Sequence, residues 1–390
     1  MIDGIAQTRQ GRSTARLRNR EQEPAESYAV AKHVERFLGA GRAVVHDELR
    51  RQLFELNETA DLIWQGLTSA EGDAEAVAGL EALGFTTSAA RSHVREAAAA
   101  WTSAGYMAPQ SAARKLGSPP DELRQVVLDD ASLEIAFHGT PAWACDEVAG
   151  SLLGVGETSG RLAVVAHGGQ FLFFMNGEIR SACPPERLAP HLKSTLADFC
   201  MAVLDRGFLV HGAMLSGKRG AVILSGAPGA GKSTLALAMC AAGWGFGCDD
   251  MVRVRPDGGL APLPFAACLK SGAWPLLAPM WPSIGTLASW TRTDGQRVRY
   301  LTPPSMAGIS ASGVHAVVVL ARAPGAAATL SPIAPLEALQ ALVGSAYSPD
   351  RAATNEALRM LAAHLETARC RRLTYSDLDE AVQLLEDLQS

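Results

Sequence analysis

The sequence has no CxxC pair, no HExxH or HxxxH grouping and no apolar run long enough to cross a bilayer. Each absence removes a class of protein. The cysteines, Cys145, Cys183, Cys200, Cys240, Cys248, Cys268 and Cys370, are odd in number and lack metal-like spacing. They read as reduced, buried thiols of a cytoplasmic protein, not as disulfides or a zinc cage. The alanines at 97–100 stand among Arg95, Glu96 and Ser103, so no membrane partner is expected. Residues 1–20 carry no apolar core of a secretory signal. A positive excess is missing too: the net charge of -5 argues against a nucleic-acid partner.

What is present suits a globular chain. With 390 residues, 48% hydrophobic, there is enough apolar material for two or three cored domains. Residues 1–27 hold Arg9, Arg12, Arg16, Arg18 and Arg20 with little to bury, and are expected to form a disordered basic tail. Residues 28–108 form a compact α+β unit. A hairpin is expected over 42–56, turning at Asp47 and Glu48. Asn57 then caps a helix with Leu62, Ile63 and Leu67 on one face and Trp64 nearby. A second helix over 74–83 stops at Gly84, and a third starts at Thr87 or Ser88, carries Val94 and Trp101, and ends at Gly105. A small sheet with three helices is a winged-helix pattern. Residues 109–124, rich in Ala, Ser, Pro and Lys, read as a linker.

Residues 125–390 read as a larger α/β domain. Strands are expected over 132–138, 161–166, 170–174, 208–211, 220–225, 245–248 and 316–321, helices over 188–204, 232–242, 335–345 and 354–368, and Pro- and Trp-rich loops over 256–312. Within it, Gly226, Ala227, Pro228, Gly229, Ala230, Gly231, Lys232 and Ser233 satisfy GxxxxGK[ST], with Thr234 following. The glycines let successive backbone N–H groups curl round phosphate oxygens, and the next helix offers its positive dipole end. Lys232 is placed to reach the β- and γ-phosphates of ATP, and the Ser233 hydroxyl to hold Mg²⁺. The apolar strand before the loop and the apolar helix after it separate this from a chance Gly-rich turn.

Asp249 and Asp250 follow the short strand ahead of them. Beside a phosphate loop, one carboxylate can hold Mg²⁺ while the other accepts the proton of an attacking hydroxyl. Away from such a loop, an Asp-Asp pair is more often a surface turn.

Residues 208–254 resemble the catalytic domain of the HPr kinase/phosphorylase family. The resemblance rests on Val210-His211-Gly212, on the loop from Ser225 to Ser233, and on Gly243-Trp-Gly-Phe-Gly-Cys-Asp-Asp250. It implies a P-loop kinase domain in which Asp250 is the proton acceptor, Asp249 supports the metal and His211 lies near the transferred group. Thr234 stands where that family has a glutamate, and Lys270, Arg297 and Arg299 read either as added positive charge or as plain surface. The N-terminal unit resembles the PqqD-like peptide-recognition fold, through Phe54-Glu-Leu-Asn-Glu-Thr-Ala-Asp-Leu-Ile-Trp64 and Trp101-Thr-Ser-Ala-Gly-Tyr-Met107. That resemblance implies a leader-containing precursor peptide as partner, added as a strand in a groove near Leu53 and residues 91–95. A homo-oligomer stays open, since the related kinases form hexamers.

The expectation is an ATP-dependent kinase acting on a hydroxyl, of serine above all, in the tethered peptide. The alternative is an ATP-binding regulator or scaffold that holds peptide or DNA without phosphorylating it.

Overall fold

A computed structural model describes residues 25–128, 131–203, 208–255, 259–303, 314–344, 346–347 and 355–388. Residues 1–24 of the tail expected over 1–27, and the stretch 304–312, lie outside the described residues; within 25–27, Glu26 N donates to Asp73 Oδ1 at 3.0 Å. The fold is mixed α/β, built on several sheets of mixed direction. Among the described residues, no helix is long and apolar enough to cross a membrane.

In the N-terminal part, strands Val34–Gly39, Arg42–Asp47 and Gln52–Leu56 form an antiparallel sheet, and Tyr28–Val30 pairs with Met107–Pro109. Three helices follow, Glu58–Thr68, Asp73–Ala82 and Thr87–Ser103. The Asn57 side chain accepts from Ala60 N, and the Thr86 side chain from Ala89 N, so two helix starts have capped amides. Trp64 meets Trp101 edge-on at 4.9 Å within the core.

That core is shared. A five-stranded sheet runs in the order Glu178–Cys183, Gln170–Met175, Thr158–His167, Ala131–His138, Glu122–Leu128. Strand side chains alternate between faces. Val165, Leu172, Phe174 and Ile179 join Trp64, Leu80 and Met107 on one side, while Val164, Phe173, Leu162 and Ile135 pack under helices Trp143–Ala149 and Leu188–Val203 on the other. Residues 109–124, expected as a linker, are instead built into the fold. They contain helix Gln110–Arg114, a 3₁₀ turn Lys115–Gly117 and the start of strand Glu122–Leu128. Ala112 is fully buried, Ser111 N donates to Glu26 Oε1 (3.0 Å), and Lys115 Nζ donates to Ala166 O (2.8 Å). The small residues that suggested a linker are those that let a short helix lie flat on the sheet.

His191, on the Leu188–Val203 helix, is half-buried against the Phe173 ring and lies 2.7 Å from Ser181 Oγ through Nε2. Burial pushes its pKa from 6.5 down to about 4. The folded chain thus keeps His191 neutral while the unfolded chain protonates it, so its stabilisation is complete above pH 6.5 and is lost as pH falls through 4. Full loss amounts to about 3 kcal/mol. Denaturant titrations across that window are expected to show this slope, and His191→Gln to flatten it; an unchanged slope in the variant refutes the assignment.

The C-terminal part centres on a six-stranded sheet, ordered Gly245–Cys248, Ala213–Gly217, Gly220–Ser225, Val314–Arg322, Arg369–Tyr375, Thr329–Pro332. Gly220–Ser225, Val314–Arg322 and Arg369–Tyr375 run parallel, a pattern that requires cover on both faces. Helices Lys232–Ala241 and Leu378–Asp387 cover one face, and Pro335–Val343 and Asn355–Thr367 the other. The region expected as loops between 256 and 312 holds strands Leu260–Pro262, Ala267–Lys270, Trp290–Thr291 and Arg297–Leu301. The last three pair antiparallel, and their shortness hides them among the Pro and Trp residues.

Candidate functional site

Clefts of parallel α/β sheets form beyond the carboxyl ends of the strands. Here the buried strand Gly220–Ser225 delivers the chain into loop 226–231, and helix Lys232–Ala241 carries it away. The loop needs its glycines. Gly226 (φ 146°), Gly229 (φ 85°) and Gly231 (φ 94°) adopt positive φ. A Cβ on Gly231 would lie 2.3 Å from the Tyr375 hydroxyl, and one on Gly226 would lie 2.9 Å from Leu320 O. Tyr375 Oη donates to Ala230 O at 2.7 Å and so pins the base of the loop. The crest, Ala227, Pro228 and Gly229, is exposed. Thr234 is half-buried on the first helical turn.

Lys232 is buried and donates to Gly226 O at 2.8 Å, closing the loop on itself. Burial lowers its pKa, and Lys270 adds to that, while Asp250 and Asp249 pull the other way. An ammonium held below its ordinary value is one that an incoming phosphate would favour.

Strand Gly245–Cys248 ends at Asp249 and Asp250. Asp249 is buried, and its Oδ2 accepts from Cys268 N at 3.0 Å. Its Oδ1 is buried with no hydrogen-bond partner. Burial raises its pKa and Asp250 adds to this; Lys193, the Cys268 amide and the Ser233 hydroxyl oppose the rise. Asp250 is half-buried, and its Oδ1 lies 2.9 Å from His211 Nδ1. The backbone fixes that pairing. Strand Phe208–His211 runs antiparallel to Met251–Val254 with His211 opposite Met251, and Gly212 N donates to Asp250 O at 3.1 Å. A Cβ at Gly212 would approach Leu224 O to 3.1 Å, which accounts for a small residue after His211.

Loop, histidine and acid pair therefore converge. Among the described residues no group of three or more His, Cys, Asp or Glu side chains forms a metal cage. The fit for a cation rests on a different observation: the buried Asp249 Oδ1, which has no hydrogen-bond partner, suits one hard cation completed by phosphate and water oxygens. Arg297 and Arg299 do not join the site as free charges. Arg299 sits 4.2 Å over the Trp274 ring and donates to Ile284 O, while Arg297 lies near the same ring and bonds Ser289 Oγ. Lys270 alone of the three is felt at Lys232.

One residue of the site did not stand out in the sequence. Lys193 reaches in from helix Leu188–Val203, and its Nζ is 3.7 Å from Asp249 Oδ1 and 3.7 Å from Asp250 Oδ2. Burial would lower its pKa, but the two carboxylates outweigh this and raise it, so it is held charged. The signal was a lysine at a core position of an amphipathic helix, in register with Leu188, Ala189, Leu192 and Leu196.

A second concavity lies in the N-terminal part. A cavity of about 440 Å³ opens between helices Glu58–Thr68 and Thr87–Ser103, lined by Ala60, Ile63, Phe85, His93, Glu96 and Ala97 among others. It overlaps the expected groove at His93. Leu53 lies outside the lining, 65% exposed on edge strand Gln52–Leu56.

No protein-family model matches the chain, and no curated protein matches it.

Proposed function

We propose that the chain is an ATP-dependent kinase of the HPr kinase-like P-loop type, which phosphorylates a serine hydroxyl of a precursor peptide held by its PqqD-like winged-helix unit. The observation that carries the kinase reading is the convergence of loop and acids: strands Gly220–Ser225 and Gly245–Cys248 both run antiparallel to Ala213–Gly217 between them, so the loop and the Asp249–Asp250 pair leave the same edge of the sheet. Lys232 and the loop amides would grip the phosphates of ATP. Ser233 and Asp249 would hold Mg²⁺, which would supply charge neutralisation at the phosphates. Asp250, oriented by His211, takes the proton of the serine hydroxyl. The serine oxygen then forms its bond to the γ-phosphorus as the bond to the β–γ bridging oxygen breaks, and ADP leaves. Such transfer depends on positioning and charge more than on covalent help from the protein.

The peptide half of the reading rests on the edge strand Gln52–Leu56 and on the cavity whose lining begins at Asn57, just after that strand. A segment added to Gln52–Leu56 would gain backbone hydrogen bonds, and the cavity offers room for one of its apolar side chains. Because the unit shares a core with the five-stranded sheet, a bound peptide would be held at a set position, not on a loose tether.

Two measurements test the proposal. Calorimetry is expected to show Mg-ATP binding that Lys232→Met removes. Peptides selected from a displayed library on the intact chain are expected to gain a single phosphate on serine, by mass spectrometry, after incubation with Mg-ATP. Nucleotide binding with no phosphate on any retained peptide would turn the reading to a scaffold or regulator; no nucleotide binding would remove the P-loop reading itself.

A further inference from the structure

Two carboxylates side by side in a site partly screened from water repel, and the buried one is pushed toward its neutral form unless positive charge stands close by. Asp249 and Asp250 have such a charge within the protein. The Lys193 ammonium is equally distant from one oxygen of each, 3.7 Å in both cases. It is also confined. Its side chain is 9% exposed, it lies 5.9 Å from the centroid of the Phe265 ring and 5.8 Å from that of Tyr300, and it donates to Ala266 O at 3.3 Å. Aromatic faces and a carbonyl each favour a cation there. Nothing about this lysine resembles a solvated surface charge.

We propose that Lys193 is a positioning residue whose ammonium serves as the built-in second positive charge of the acid pair, so that the site takes one divalent cation with its nucleotide instead of two. The inference rests on the Mg-nucleotide reading above. A divalent ion bridging the two carboxylates has to sit about 2.0–2.6 Å from an oxygen of each. The Lys193 ammonium stands 3.7 Å from one such oxygen on each, so its charge and bulk compete for that bridging position. At 3.7 Å the ammonium is too far to cap Asp249 Oδ1 by a hydrogen bond, and that atom keeps an unsatisfied lone pair. The ammonium thus lowers the cost of keeping both acids charged while leaving one oxygen for a single ion or its water. The lysine comes from the helix under the five-stranded sheet, so that layer fixes the geometry of acids borne by the other.

The test counts ions. Mn²⁺ bound per chain, measured by electron paramagnetic resonance with a non-hydrolysable ATP analogue, is expected to be one in the unaltered chain. Lys193→Met, close in shape and uncharged, is expected to take up a second Mn²⁺ and to weaken analogue binding at low metal by about ten- to a hundredfold, recovering as metal is added. Lys193→Arg is expected to return to one. A lysine with only a structural role would lower the thermal midpoint without changing the count. Two ions in the unaltered chain, or one in a folded Lys193→Met variant, overturn the proposal. Should Lys193→Met fail to fold, the counts for the unaltered chain and Lys193→Arg decide, one in both supporting the proposal and two in either overturning it. Absence of any analogue-dependent Mn²⁺ uptake is a distinct outcome that removes the nucleotide reading and this inference with it.

Discussion

Replacing Asp250 by Asn is expected to lower peptide phosphorylation by about 10²–10⁴-fold while Mg-nucleotide affinity changes by less than about threefold. Asparagine keeps the shape and can still contact the His211 ring, which lies 2.9 Å from Asp250 Oδ1. It cannot take up a proton. The loss therefore falls on the step that removes the serine hydrogen, and an effect on the rate constant with little effect on binding is its signature. Nucleotide affinity is expected to survive because the groups that meet phosphate, Lys232 and the loop amides, are held independently. Tyr375 pins Ala230, and Gly226 O anchors Lys232. Single-turnover phosphoryl transfer and calorimetry separate the two quantities. A loss below about tenfold would remove Asp250 as proton acceptor, since general-base groups contribute more than that. Asp249→Asn is expected to behave differently. Its carboxylate faces Ser233, Lys193 and the Cys268 amide and not solvent, so metal dependence should shift along with rate.

The contrast between loop and acid cradle shows what could be read from the residues alone. The GxxxxGK[ST] loop is a local structure. Its glycines answer to backbone torsions a few residues apart, and the strand before it and helix after it are consecutive, so pattern and fold agree. The cap at Asn57 is local in the same way. Lys193 and Tyr375 lie far from the loop in sequence, and only the packing of helix Leu188–Val203 and the parallel pairing of Arg369–Tyr375 bring them to it. A lysine on a helix is ordinarily read as surface, because such side chains are seldom buried without partners; here the partners belong to another sheet. Residues 109–124 were misread for a related reason. Small and polar residues describe a linker and a thin helix pressed on a sheet equally well, and the deciding fact is Ala112 facing the shared core.

That shared core leads to the largest effect expected on stability. Gly105 ends the Thr87–Ser103 helix at φ 76°, with Gly105 N donating to Thr102 O and Tyr106 N to Trp101 O. This is a left-handed helix stop, where glycine is favoured for its freedom of φ. A second demand acts on the same atom. A Cβ on Gly105 would lie 2.0 Å from Arg180 O and 2.4 Å from Arg180 C, so the turn sits directly on strand Glu178–Cys183. Both neighbours are backbone, and Arg50 Nη2 also donates to Arg180 O. Neither can swing aside as a side chain would. Gly84 offers the internal control: it has φ 92° at the end of another helix, with nothing within 4 Å of its added Cβ. Gly84→Ala should cost only the positive torsion, about 1 kcal/mol. Gly105→Ala carries the same torsional cost and must in addition lift the N-terminal helices off Phe174 and Ile179, for a total of about 3–5 kcal/mol. Denaturant unfolding of both variants measures the difference. A gap under about 0.5 kcal/mol would mean that the close approach to Arg180 does not exist in solution. With the gap present, Mg-nucleotide binding in Gly105→Ala should persist under native conditions while peptide phosphorylation falls, because the loop and acid pair stand on the other side of the five-stranded sheet from the disturbed core.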